Sequence, residues 1–150
     1  MSTRRELLAV SDETLVKAKA LIEGSAMGAW FGTQISIDQD AHRYRLSFDE
    51  PHIGNPVIRA LHGGVISAFM QYASTLEVLS RNPTPIRART ISVHTSYLRG
   101  SRDQDLLVSV EVQRVGRRIA FVEARGWQDD PDRAVGSAQI ALRLFEDEAP

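Results

Sequence analysis

Three consecutive residues, His62-Gly63-Gly64, stand at the head of a long apolar segment, and their types and order could do chemistry. Paired glycines let a ligand approach the backbone closely, and the free N–H groups of a helix's first turn attract negative charge. Donors placed there could hold an oxyanion as it develops during acyl transfer, an effect worth ~10²–10³ in rate per donor. The same residues would equally serve a tight loop-to-helix turn with His62 as the cap. Beyond them Ser67, Gln71, Ser74 and Thr75 recur at helical spacing. They make a polar stripe running back to Gly64 on a segment otherwise apolar on nearly all sides. Such a stripe either faces a ligand cavity or satisfies itself against neighbouring backbone.

The second chemical signal is arginine. Of 18 basic residues in 150, only Lys17 and Lys19 are lysines, and guanidinium is a fixed bidentate donor for phosphate. Seven arginines (87, 89, 99, 102, 114, 117 and 118) face three acids (Asp103, Asp105, Glu111) between Arg87 and Arg118, a local excess of four positive charges. A GC-rich genome would explain arginine over lysine, but not the clustering. The whole chain carries a formal charge of -1, so it lacks the global basic field of a nucleic-acid binder. The sheet also reads as having no aromatic stacking platform beside its basic residues, and no nucleic-acid partner is expected.

Other chemistries find little support. With no cysteine there is no disulfide, thiolate metal site or cysteine nucleophile. None of His42, His52, His62 and His94 pairs at the i, i+4 spacing of a helical metal site, so no metal is expected. Neither a glycine-rich nucleotide loop nor a nucleophile elbow occurs. The apolar run Leu7–Val10 is too short for a leader, and Val65–Leu79 is too polar for a membrane span, so a cytoplasmic protein is expected.

The elements that must position these residues read as one α+β domain over 1–150. Ser11 caps a short amphipathic helix (about 11–23) with Leu15, Val16, Ala18, Leu21 and Ile22 as its apolar stripe, stopped at Gly24. Two strands follow around Ile35–Ile37 and Tyr44–Phe48, turning at 38–41, and Glu50–Leu61 reads as a loop. The central helix spans about 62–81 and ends at Asn82-Pro83-Thr84-Pro85. Four alternating strands then read as an antiparallel meander, turning at 99–102, 115–117 and 129–132. The first places Ile91, Val93, Thr95 and Tyr97 on one face. Trp30, Phe31 and Trp127 read as core or interface residues, and Glu146–Pro150 as a frayed tail.

Several of these stretches together resemble the hotdog-fold acyl-CoA thioesterases, in particular the phenylacetate-pathway (PaaI-type) group. They are Asn55-Pro56, Leu61-His62-Gly63-Gly64-Val65 with the helix behind it, Thr90–Arg99, and Arg114-Val115-Gly116-Arg117-Arg118, so that the likeness covers roughly residues 30 to 145. The resemblance implies a long helix wrapped by a curved antiparallel sheet of five to six strands. It also implies a homodimer, with pairing into a tetramer left open, and active sites at the subunit interface, where the HGG element of one chain faces the helix of the other. It makes Gly63 N–H the group that polarises the thioester carbonyl, with His62 and Gly64 beside it. Asn55 would hold the carbonyl or the attacking water, and Thr90 would be a small hydroxyl near the nucleophile. Arg99, Arg102, Arg114 and Arg117 would contact the phosphates of coenzyme A, which is part of the substrate and not a separate cofactor.

One departure matters. The family carries an Asp or Glu eight residues after the first glycine, and here that position is Gln71. An amide holds a water but cannot take its proton near neutral pH, and a general base is worth 10²–10⁴ in rate. Glu77 lies on another side of the helix, while Asp49 and Glu50 are conceivable replacements that nothing in the sequence favours. Two functions follow: thioester hydrolysis with Gln71 and Thr90 positioning water, or non-catalytic acyl-CoA binding. A hydratase would need an acid on the polar stripe, which has none.

Overall fold

The computed structural model describes residues 5–147 of the chain. Helix α1 (Asp12–Glu23) starts at a reciprocal capping box: Thr14 N–H donates to Ser11 Oγ and Ser11 N–H to Thr14 Oγ1. Its apolar stripe is only half used, since Ala18 is buried whereas Val16 and Leu21 stay exposed. A five-residue helix α2 (Ala26–Trp30), capped by Ser25, follows without having been expected, because so short a run carries no helical period. Gly28 lets it fold back onto α1: a Cβ there would lie 2.4 Å from the Ile22 carbonyl oxygen.

Strands β1 (Gln34–Asp38) and β2 (Ala41–Leu46) form a hairpin through Gln39 and Asp40, both left-handed (φ 49° and 63°). The expected loop over 50–61 is more ordered than that. It holds a 3-10 turn (Glu50–His52) and a small hairpin, β3 (Ile53–Asn55) and β4 (Ala60–Leu61). Helix α3 (Gly63–Arg81) lies within one residue of its expected bounds. Strands β5 (Ile86–Tyr97), β6 (Leu106–Val115), β7 (Ile119–Trp127) and β8 (Gly136–Glu146) complete the chain. Glu146 ends β8 and pairs with Arg5 at 2.7 Å, so the expected frayed tail does not begin there; residues 148–150 lie outside the described ones.

The six-stranded antiparallel sheet has the order β1-β2-β6-β7-β8-β5. This corrects the expected meander: β6 to β8 follow it, but β5 pairs with β8, and residues 98–105 form a crossover instead of a hairpin turn. β5 is therefore a twelve-residue edge strand. One face of the sheet packs on α3, whose Phe69, Met70, Ala73 and Val78 are fully buried against Tyr44, Leu46, Val108 and Leu142. Each large side chain sealed in this way contributes roughly 1.5–3 kcal/mol. Among the described residues no helix is long and apolar enough to cross a membrane.

Two bulges shift the alternation. In β5, Thr90 pairs with Leu142 and Ser92 with Ala141, leaving Ile91 unpaired and 57% exposed. Ile91 thus leaves the face it was expected to share with Val93, Thr95 and Tyr97. In β6, Gln113 is the extra residue, so Arg114 pairs with Phe121 while Val115 turns into the core. On the outer face Phe145 carries two guanidinium groups, Arg143 at 5.3 Å and Arg89 at 5.8 Å.

Candidate active site

His62 is extended (φ -61°, ψ 130°) and caps α3 with its own ring: Gly64 N–H donates to Nδ1 at 2.8 Å. Nδ1 is therefore the unprotonated nitrogen, and Nε2 is left as the ring's N–H donor. The backbone oxygen of His62 accepts from Val65 N–H and Ile66 N–H at 2.9 and 3.1 Å. Among the described residues nothing accepts from Gly63 N–H. Of the two glycine donors singled out from the sequence, then, Gly63 is free and Gly64 is committed to the cap. Across the helix head, the Tyr97 hydroxyl donates to the Gly63 carbonyl at 2.8 Å. Sequence reading placed Tyr97 only on a strand face; its position two residues beyond Thr95 was the available signal. Thr95 itself meets Ser67 of α3, hydroxyl to hydroxyl, at 2.7 Å.

The polar stripe divides. Ser74 is fully buried and bonds back to the Met70 carbonyl, while Thr75 bonds back to the Gln71 carbonyl at 3.0 Å. The half-buried side-chain amide of Gln71 makes no hydrogen bond among the described residues. Gln71 lies eight residues after Gly63, about 12 Å along the helix axis. Thr90 is exposed on β5, seven residues before Tyr97 and so roughly 20 Å from it. One chain alone does not bring Gly63, Gln71 and Thr90 together.

Asn55 is exposed, and its Oδ1 accepts from Val57 N–H and Ile58 N–H at 3.1 and 3.4 Å, shaping the β3–β4 tip. Its Nδ2 remains as a donor. Arg59, left-handed at φ 52°, ties that tip to Glu50 (2.6 Å) and to Asp103 in the crossover (2.8 Å). Its hydrogen bond holds the Asp103 carboxyl below the usual carboxylate range. Neither conceivable replacement base is idle: Glu50 is bound by Arg59, and Asp49 Oδ1 accepts from Glu50 N–H as a cap.

Arg99 and Arg102 line a groove of about 640 Å³ with Arg133, Gln128, Asp129 and Asp130. Arg114 and Arg117 lie at the opposite end of β6 from this groove, about 30 Å away. None of these four guanidinium groups forms an ion pair among the described residues.

A second constellation lies behind the helix. Thr14 Oγ1, His42 Nε2, His42 Nδ1 and Glu77 Oε2 follow one another at 2.9 and 3.0 Å contacts, the order of a hydroxyl–imidazole–carboxylate triad. All three side chains are sealed from solvent, and the Thr14 hydroxyl already serves the α1 cap. No substrate reaches it.

A model of the acyl-CoA thioesterase N-terminal domain family matches residues 52–142. A Halobacterium salinarum protein named as an inferred esterase is 26% identical over 147 residues, spanning 92% of this chain and 97% of its own. A solved protein of the thioesterase superfamily is 25% identical at TM-score 0.78, over 89% of this chain and 98% of its own. Two further solved structures, each 15% identical, share the fold. Escherichia coli PaaI, from the phenylacetic acid degradation operon, has TM-score 0.75 over 94% of this chain and 98% of its own. A Bacillus halodurans protein solved with CoA has TM-score 0.72 over 90% and 91%.

Proposed function

This chain belongs to the acyl-CoA thioesterase family and has the hotdog fold, and from that premise we propose that it hydrolyses acyl-CoA thioesters to the free acid and coenzyme A. The observation that carries the reading is the unspent Gly63 N–H at the head of a buried helix. Water attacks the thioester carbonyl carbon, and the carbonyl oxygen takes up negative charge against Gly63 N–H. The carbon–sulfur bond then breaks, and the departing thiolate takes the proton that the water sheds. Gln71 and Thr90 orient the water, and Asn55 Nδ2 and His62 Nε2–H supply further donors near the carbonyl. Without a carboxylate at Gln71, hydrolysis is slow for such a site, by a factor of about 10²–10⁴.

The functional unit of this proposal is a homodimer. β5 is a long edge strand with one side of its backbone unpaired, against only five residues in β1 at the other edge. Antiparallel pairing of β5 with its copy across a two-fold axis sets the Tyr97 end of one chain beside the Arg87–Thr90 end of the other. The same operation carries the partner's 114–118 turn toward the groove of Arg99 and Arg102. Phosphates of CoA then meet arginines from both subunits. We place this reaction in the cytoplasm.

A second reading, acyl-CoA binding without turnover, is favoured by one observation, the amide at Gln71. The test is a panel of short, medium, long and aromatic acyl-CoAs, assayed for thiol release beside thermal shifts with the same esters. Release above the buffer rate supports hydrolysis, and stabilisation without release supports binding alone. The absence of both release and stabilisation overturns both readings.

A further inference from the structure

Two consecutive glycines stand where the proposed site needs rigidity, and glycine is the residue least able to supply it. The peptide unit joining Gly63 to Gly64 is planar, with the Gly63 carbonyl on one edge and the Gly64 N–H on the other. Both edges are held by side chains: His62 Nδ1 accepts the N–H and the Tyr97 hydroxyl donates to the carbonyl, each at 2.8 Å. The preceding unit is held only through the His62 carbonyl, by two helix N–H groups. Its own N–H, that of Gly63, points off the end of α3 and is free. Rotation about the Gly63 backbone bonds would swing that donor, and the clamp on the next unit opposes the rotation. The ring adds to it, since a Cβ at Gly63 would lie 3.2 Å from Cζ and 3.3 Å from Cε1 of Tyr97.

We infer that Tyr97 is a positioning residue for the Gly63 donor, acting through the hydrogen bond from its hydroxyl to the Gly63 carbonyl. It need not touch substrate. Docking of the strand does not require this bond, because the Ser67–Thr95 contact one helical turn further on already ties β5 to α3. Tyr97 is 56% exposed, so losing its hydroxyl leaves the core intact. The inference rests on the thioesterase reading for its catalytic consequence, but not for the clamp itself.

The test compares wild type, Tyr97→Phe and, as a control for strand docking, Thr95→Val. The readouts are steady-state thiol release from an acyl-CoA and amide exchange of Gly64 followed by NMR. In Tyr97→Phe, kcat is expected to fall about five- to tenfold with KM within about twofold, as one hydrogen bond of orientation is lost. Gly64 exchange should quicken by a similar factor, and Thr95→Val should change neither. Unchanged Gly64 exchange in Tyr97→Phe overturns the clamp, whatever happens to kcat. Faster exchange with unchanged kcat overturns the positioning role, and an equal loss of kcat in Thr95→Val reduces the effect to strand docking and overturns it too. If the wild type releases no thiol, the thioesterase reading fails, and exchange alone still decides the clamp.

Discussion

Nδ1 of His42 lies 3.0 Å from Oε2 of Glu77, and each residue is only 2% exposed. The same oxygen accepts from the Tyr44 hydroxyl at 2.7 Å, and Oε1 accepts from Arg81 at 3.2 Å. Arg81 in turn donates to the Leu8 carbonyl, so one buried carboxylate joins β2, α3 and the segment before α1. Glu77→Ala leaves all these donors without their acceptor. It should cost about 3–5 kcal/mol of stability, measured by urea unfolding. A loss under about 1 kcal/mol would show that the cluster repairs itself.

Thr14 separates a structural triad from a catalytic one. Thr14→Ala removes a cap and the partner of His42 Nε2, and should cost about 2 kcal/mol. Thiol release by the remaining folded protein should stay within twofold of wild type. A hundredfold loss of kcat would instead make the buried hydroxyl a nucleophile.

Tyr44 gives the fold an alkaline limit. Burial first, then the Glu77 charge, raises its phenol well above the ordinary 10.0. The native state therefore holds this proton more tightly than the unfolded chain does. Its stabilising effect is full below pH 10 and drains away as pH rises through the raised value. Melting temperature should fall more steeply above pH 10 in wild type than in Tyr44→Phe, and parallel curves would refute the assignment.

Gln71→Glu restores the carboxylate the family carries on its helix. If the rest of the site is intact, thiol release should rise at least roughly tenfold. No gain, with acyl-CoA still raising the melting temperature of both forms, would favour the binding protein.

The arginine groups allow a mixing test of the dimer. Arg99→Ala/Arg102→Ala and Arg114→Ala/Arg117→Ala should each raise KM for acyl-CoA, since each removes cations from the same shared site. After unfolding and refolding together, hybrid dimers hold one intact site and one doubly crippled site. The mixture should regain roughly a quarter of wild-type sites. No recovery would put all four arginines in one chain's site, or in none.

Much of this was legible because periodicity survives where elements are long. Nineteen helical residues with an apolar circumference, and strands such as Leu106–Val112, announce themselves. Pairing order did not, since nothing between Tyr97 and Leu106 states whether β6 lies beside β5 or beyond two intervening strands. At the site, the glycines and Gln71 were visible as residue types. What was hidden is occupancy: the sequence offers two glycine N–H groups, and only the fold shows that His62 consumes one. The charge excess between Arg87 and Arg118 was legible too, but not its division, since the ten residues of β6 hold Arg114 and Arg99 at opposite ends of an extended strand.

The bulge at Ile91 sets the phase of everything downstream in β5. With strict alternation from Ile86 and Ala88, the helix side would next receive Thr90, Ser92, His94 and Ser96, and both Thr95 and Tyr97 would face outward. One extra residue inverts that parity, so the partners of Ser67 and Gly63 come to the helix through a backbone irregularity and not through their own side-chain chemistry. Excising Ile91 would therefore leave Val93, Thr95 and Tyr97 on the helix side of a regular strand, whereas keeping it and forcing regular pairing would bring Ser96 to the helix head in place of Tyr97.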